Sequence, residues 1–391
     1  MTQNTPIFWV QLPHTLIGIG VVAQVGRLAT NLGGKKVLIV TDKGVVLAGL
    51  VDKVKKPLEE AKIECGVFDG CEPNCPVKTI QSCAEVIKKG GYDLLIGLGG
   101  GSTLDTTKLA SIAAVESSIT LESVRALIDN PALKKGLTKI LIATTAGTGS
   151  EISPIGVTVD LDGVKKVIRH ENNLANIAIV DPEMTQYLPK EITAHTGIDA
   201  LSHAFESYLC PTPNVLSDSI AEMCIKLVAE NLRLAYYNGP RNLEARYNMA
   251  LAATYAMATP VMSGFTSFHA MGHCIQIEAN ITHGASLYLM MPPIMEYKLM
   301  STPGRFSRIA ELMGEKVEGL SLREAAMKSI EAVRRLGTDL NMPQRLRDVG
   351  VKKEQIPGFV NTLFSRYEAR LKADTRAISR EDALKIYESI W

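Results

Sequence analysis

From residue 35 to about 150 the apolar positions fall into short β-branched runs, and between the runs they recur at spacings of three and four. The runs are KKVLIVTD (35–42), IECGVFD (63–69), YDLLIGLGGGS (92–102) and TKILIATTAGTGS (138–150). The stretches between them, VLAGLVDKVKKPLEEA (46–61), VKTIQSCAEVIKKG (77–90) and TTKLASIAA (106–114), have helical periodicity. Strands separated by helices of about ten or more residues read as βαβ units, because a parallel neighbour can be reached only by a crossover. The pattern predicts an α/β N-terminal domain built on a parallel, Rossmann-like sheet.

Beyond residue 186 the β signal fades. VLSDSIAEMCIKLVAENLRLAYY (215–237) and LREAAMKSIEAVRRLGTDL (322–340) place apolar residues at helical spacing, so an all-α C-terminal domain is expected. The boundary is set near Asp181-Pro182, after the strand-like NIAIV, giving domains 1–185 and 186–391. A chain of 391 residues is also longer than one hydrophobic core usually supports.

Composition narrows the function classes. The formal charge is +1, so neither nucleic acid nor an anionic membrane is an expected partner. The start MTQNTPIFWVQLP lacks a secretory pattern and no apolar run reaches spanning length, so a cytoplasmic protein is expected. Seven cysteines without CxxC spacing indicate neither a disulfide framework nor a zinc ribbon, and Cys71 and Cys75 read as free thiols on a loop.

Three predicted strand ends carry polar or glycine-rich residues, and ligands of parallel sheets bind at such ends. GLGGGST (97–103) lets backbone amides approach a phosphate at a helix N-terminus, or merely allows a tight turn. Asp42 can accept hydrogen bonds from ribose hydroxyls and repel the 2′-phosphate of NADP, or simply cap the next helix. TTAGTGSE (144–151) fits ligand contact or an ordinary turn. Their occurrence at neighbouring strand ends favours a dinucleotide-binding domain.

The helical half holds the other candidate chemistry. Asp199 and His203 are four apart, as are His269 and His273, so each pair shares a helix face. A carboxylate with imidazoles suits Fe2+ or Zn2+, although a lone histidine on a helix is more often a satisfied core or surface residue. If 269–283 were one straight helix its terminal imidazoles would stand roughly 21 Å apart along the axis, whereas one metal needs ligand atoms at about 2 Å. The helix is therefore predicted to break near Asn280, Thr282 and Gly284. His273 is then a neighbour that need not touch the ion.

Taken together, GGGSTLDTTK (99–108), TTAGTGSE (144–151), DPEMTQYLP (181–189), TGIDALSHAFESY (196–208) and HAMGHCIQIEANITHG (269–284) resemble the iron-containing (group III) alcohol dehydrogenase family over essentially the whole chain. The resemblance implies Asp199, His203, His269 and His283 as metal ligands and His273 as a histidine near the nicotinamide. For NAD(H) it implies Asp42 on the adenosine ribose, Asn74 of the EPN stretch, Gly100, Gly101 and Ser102 on the diphosphate, Thr144, Thr145 and Thr148 nearby, and Lys165. It also implies a homodimer or larger assembly.

The chemistry expected is interconversion of an alcohol and its aldehyde. A divalent ion polarises the substrate oxygen, nicotinamide C4 gives or takes the hydride, and His273 relays the proton or merely packs beside the site. Departures from the family bear on substrate. TPVMSGFTSFHAMGH (259–273) alters a pocket wall, IRHENN (168–173) introduces Arg169, Asp374-Thr375-Arg376 replaces the familiar Asn-Pro-Arg, and Arg370 aligns with the substrate entrance. Arginines suit a sulfonate, phosphonate or carboxylate on a small aldehyde. The principal alternative is a metal- and NAD-using lyase resembling 3-dehydroquinate synthase. A metal-dependent hydrolase and a non-catalytic binding module fit less of the sequence.

Overall fold

The computed structural model describes residues 11–391 except 129, 131, 132, 162 and 280. The chain divides into two compact units, Gln11–Leu188 and a second spanning Pro189–Trp391.

In the first unit the strands are β1 (His14–Ile17), β2 (Lys36–Val40), β3 (Glu64–Phe68), β4 (Leu94–Gly99), β5 (Thr138–Ala143), β6 (Ile155–Val159), β7 (Lys165–Arg169) and β8 (Ile177–Val180). The helices are α1 (Val25–Asn31), α2 (Lys43–Leu47), α3 (Leu50–Glu60), α4 (Val77–Gly90), α5 (Gly101–Ala113) and α6 (Leu121–Ile128). Six strands form one sheet in the order β1-β8-β5-β4-β2-β3, and every pairing within it is parallel. Val37 and Ile39 pack into a core with α1 and α3, while Leu38 and Val40 pack into another with α4 and α5. Both faces are therefore covered, which is why the strands read as unbroken apolar runs.

The strand order fixes where a ligand would sit. The chain moves outward from β2 to β3, then crosses back so that β4 flanks the opposite side of β2. That reversal opens a crevice beyond the carboxyl ends of β2 and β4, the usual ligand position in such sheets. Features not read from the sequence include β1, at one edge of the sheet. The helical stretch 46–61 is two helices, broken at Gly49, whose φ of 71° starts α3. Residues 155–169 fold into an antiparallel hairpin, β6–β7, outside the main sheet.

The second unit is helical: α7 (Lys190–Tyr208), α8 (Val215–Asn238), α9 (Leu243–Ser263), α10 (Ser267–Ala279), α11 (His283–Lys298), α12 (Pro303–Leu312), α13 (Leu322–Asp339), α14 (Ile356–Lys372) and α15 (Arg380–Ser389). The predicted stretches 215–237 and 322–340 correspond to α8 and α13, each opened by a capping box, Asn214 with Ser217 and Ser321 with Glu324. No helix among the described residues is long and apolar enough to cross a membrane.

Candidate functional site

The expected break between His269 and His283 is present: α10 ends at Ala279 and α11 begins at His283. Of the residues expected to make it, Asn280 lies outside the described residues. Thr282 is the cap of α11, and its hydroxyl meets His195 Nδ1 at 2.9 Å. Gly284 lies within α11 and has a different role: a Cβ there would stand 2.0 Å from the His195 carbonyl oxygen, so its absence lets α11 approach α7 closely.

That approach brings three helices to one point. Asp199 and His203 project from α7, His269 from α10 and His283 from the first turn of α11. The Nε2 atoms of His203, His269 and His283 lie 3.7, 3.6 and 3.5 Å from Asp199 Oδ1. Ligand atoms about 2.0–2.2 Å from a tetrahedral ion stand roughly 3.3–3.6 Å apart, so the spacing suits four donors around one cation. Asp199, His203 and His269 are all buried, and their donor atoms lie within 4.8 Å of one another. Asp199 Oδ1 and His269 Nε2 are buried without a hydrogen-bond partner among the described residues. Two orphaned polar atoms aimed at each other across 3.6 Å are costly unless something bonds both.

The opposite ring nitrogens of His269 and His283 are held. His269 Nδ1 lies 2.6 Å from Glu206 Oε2, and His283 Nδ1 lies 3.1 Å from Gln276 Oε1. An acceptor on Nδ1 keeps the proton there and leaves Nε2 with a lone pair for a metal. Glu206, missed in the sequence, is fully buried one turn beyond His203. Its Oε1 also accepts from the backbone N–H groups of Thr266 and His269 at 3.1 and 2.9 Å. The spacing of Asp199, His203 and Glu206 on one helix face was the available signal.

Electrostatics agree with a divalent ion. Burial works to raise the Asp199 carboxyl, but His203, His283 and His269 outweigh it and hold the group well below the usual carboxylate range. Glu206, likewise opposed by burial, is lowered to about 2 by the His269 ring and backbone and by Arg370. Burial would lower His269, yet Glu206 and Asp199 raise it to about 9. Two buried carboxylates thus draw positive charge into the cluster. A 2+ cation with neutral imidazoles balances them while leaving each Nε2 unprotonated.

His273 stands beside the cluster, its ring 5.1 Å from that of His283 and 5.7 Å from that of His269, with Nδ1 3.3 Å from the Tyr367 hydroxyl. Arg370, in the last turn of α14, lies over the rings of Tyr367 and Phe265 at 5.4 and 6.0 Å. Phe265 in turn meets His203 and His269 edge-on. Arg370 forms no ion pair with a carboxylate among the described residues.

In the first unit Asp42, Gly100, Gly101, Ser102, Thr144, Thr145 and Thr148 follow the carboxyl ends of β2, β4 and β5. Asp42 caps α2, accepting from Val45 N at 3.0 Å through one oxygen and from the Thr103 hydroxyl at 3.1 Å through the other. The capping alternative is therefore the contact made, and it ties the ends of β2 and β4 together. Gly100 caps α5 and Gly101 begins it; Cβ atoms on them would meet Thr145 and Thr148 Cγ2 at 3.3 and 2.8 Å. Asn74 adopts a φ of 62° and donates its N–H to Ser102 Oγ at 3.0 Å. Thr144 N–H donates to the Gly99 carbonyl at 3.0 Å. Lys165 and Arg169 lie apart from these loops in sequence, at the two ends of β7, with Arg169 exposed. Cys71 and Cys75 are free, as expected, and buried.

Comparison with known proteins returns one family for both units. Residues 13–182 match the description "Iron-containing alcohol dehydrogenase" and residues 193–391 match "Fe-containing alcohol dehydrogenase family, C-terminal". The chain is 38% identical over 345 residues to 1,3-propanediol dehydrogenase of Klebsiella pneumoniae, covering 87% of this chain and 88% of that one. The crystal structure of a 1,3-propanediol oxidoreductase superposes with a TM-score of 0.93 at 33% identity, covering 99% of this chain and 100% of that one. The sulfoacetaldehyde reductase of Bifidobacterium kashiwanohense, crystallised in complex with NAD+, superposes with a TM-score of 0.88 at 26% identity, each chain 99% covered.

Proposed function

The chain belongs to the iron-containing alcohol dehydrogenase family, and on that premise we propose that it is an NAD-dependent oxidoreductase interconverting a primary alcohol and its aldehyde. Its substrate in this reading is a small aldehyde with an anionic group. Asp199, His203, His269 and His283 hold a divalent ion, iron by family and zinc by equal donor chemistry. The observation that carries the reading is the approach of three imidazole Nε2 atoms to within 3.7 Å of one buried carboxylate oxygen. The family match favours a dehydrogenase over the lyase alternative.

When bound, the cation supplies Lewis acidity to the substrate oxygen. The protein does the rest by placement. Glu206 and Gln276 fix the tautomers of His269 and His283, so neither ring needs to rearrange as substrate enters. His273 moves the proton between the substrate oxygen and solvent, with its Nδ1 steadied by the Tyr367 hydroxyl.

In the dinucleotide-binding domain, Asp42 receives the adenosine ribose. Each carboxylate oxygen has a second lone pair beyond its present contact, and the charge discriminates against NADP. The amides of Gly100, Gly101 and Ser102 hold the diphosphate at the N-terminus of α5, flanked by Asn74, Thr144, Thr145 and Thr148. Lys165 completes the proposed set. Assembly as a homodimer or larger is part of the same reading, and sedimentation of the purified protein tests it.

Arg370 supports the anionic substrate. Its guanidinium lies over the rings of Phe265 and Tyr367 and forms no ion pair with a carboxylate among the described residues, so a substrate sulfonate, phosphonate or carboxylate can pair with it bidentately. Arg169 is the second candidate. The test is NADH-coupled kinetics on acetaldehyde against sulfoacetaldehyde and phosphonoacetaldehyde. An anionic compound is expected to lead in kcat/KM by about tenfold or more, and Arg370→Gln to erase the lead, as for one charged hydrogen-bonding pair. A preference for acetaldehyde overturns the substrate reading.

A further inference from the structure

Lys298 and Asp374 form an ion pair shielded from water: both side chains are 0% exposed, and Nζ lies 2.5 Å from Oδ1. A buried pair contributes little net stability, because desolvation offsets the attraction. What such a pair can supply is placement, and the remaining contacts of these two residues show what is placed.

Lys298 is the last residue of α11, the helix that opens with His283. Its Nζ also donates to the Leu209 carbonyl at 3.4 Å. Leu209 is the C-cap of α7, the helix of Asp199 and His203, where the dipole favours a cation. Asp374 follows the end of α14, which carries Tyr367 and Arg370. Its Oδ2 accepts from the backbone N–H of Ser267 at 3.1 Å, at the start of α10, where the dipole favours an anion. Ser267 is two residues from His269, and the intervening Phe268 is fully buried with Lys298 Nζ 5.6 Å from its ring centroid. One ion pair thus reaches the C-terminus of α7, the N-terminus of α10 and the C-terminus of α11. Those are the three helices that carry the proposed ligands.

We propose that the Lys298–Asp374 pair is a positioning device for the metal centre, holding α10 in register with α7 and α11 so that His269 meets Asp199, His203 and His283. Glu206 holds the His269 ring and accepts from the N–H groups of Thr266 and His269; Asp374 takes the N–H of Ser267 in the same turn and ties it to Lys298. The proposal rests on the ligand reading given above. Removing either charge leaves its partner buried and unpaired, and the start of α10 shifts to let water in. Removing both leaves no orphaned charge, yet it also takes away the link that joins α10 to α7 and α11.

Co2+ binding by chelator competition, read with the visible Co2+ spectrum, separates positioning from general stability. Asp374→Asn and Lys298→Met are each expected to weaken Co2+ binding about 10- to 100-fold and to alter the spectrum, as loss of support around a metal ligand does. The double variant is expected to stay about tenfold or more weaker than the parent and no weaker than the worse single, since the two sites act as one; a return to within about threefold of the parent would show that the singles act only through an orphaned charge, and overturns the proposal. Single variants with native circular dichroism that bind Co2+ as the parent does, with the parent's spectrum, overturn the proposal. If Asp374→Asn does not fold, Asp374→Glu decides, because it keeps the charge pair but changes the reach to Ser267; weakened binding supports positioning and unchanged binding overturns it. His269→Ala is the control for the ligand reading: retained Co2+ affinity in that variant defeats the reading itself, separately from any effect of the pair.

Discussion

Both oxygens of Glu206 are directed at α10 and its approach, one at the His269 ring and the other at the Thr266 and His269 amides. Glu206→Gln keeps the size and an acceptor but removes the charge that holds the imidazole proton on Nδ1. Metal affinity by chelator competition should fall about 10- to 100-fold, while far-ultraviolet dichroism stays native. Unchanged affinity would mean that the 2.6 Å contact is incidental. Glu206 shows what the sequence could and could not reveal. The three histidines among the proposed ligands stood out because histidine is scarce, seven residues in 391, and Asp199 by standing four residues before His203. A glutamate on a helix normally reads as a solvated face, and the partner that explains Glu206 lies 63 residues away. Asp42 was legible as a strand-end acid and its cap to Val45 is local, whereas its bridge to Thr103 depends on where β4 lies beside β2.

Periodicity announced the helices and the parallel strands well, and failed where a single glycine decides the geometry. The stretch 46–61 keeps its apolar spacing through Gly49, so the break there is invisible to pattern and set by a left-handed φ. Gly284 looked like punctuation and is a point of close approach. Gly284→Ala drives a Cβ against the His195 carbonyl, a backbone atom that cannot swing aside, so α11 must retreat from α7 and carry His283 with it. The expected result is about 1–3 kcal/mol of lost stability by denaturant melt, together with weaker metal binding. Gly101 poses a softer version in the other unit. A Cβ there meets Thr148 Cγ2 at 2.8 Å, where the loops after β4 and β5 face each other. Gly101→Ala should weaken NADH binding, followed by fluorescence titration, with metal content unchanged. Thr148→Ser removes the clashing methyl, so the double variant should regain affinity. Equal NADH affinity in all three proteins would show that these loops do not hold the cofactor.

The division into units at 188/189 separates the two sets of candidate residues completely: every proposed cofactor residue lies before it and every proposed metal ligand after it. Each ligand should therefore leave a footprint confined in sequence when supplied alone. A bound metal stabilises the folded form by about 2.7 kcal/mol at a hundredfold excess over its Kd, and a unit near 200 residues shifts about 2–4 °C per kcal/mol. Chelation should accordingly lower the melting temperature of the Pro189–Trp391 unit by several degrees. In hydrogen exchange without nucleotide, Fe2+ or Zn2+ should slow exchange in α7, α10 and the first turn of α11, the segments that supply the four donors. NADH added to metal-free protein should protect the segments after β2, β4 and β5, at 41–45, 99–104 and 144–150. Burial alone cannot mimic this pattern, because the apolar cores of the two units are formed in every sample. Metal protection centred on the strand ends, or NADH protection absent there, would reverse the assignment of chemistry to units, even with the family and fold unchanged.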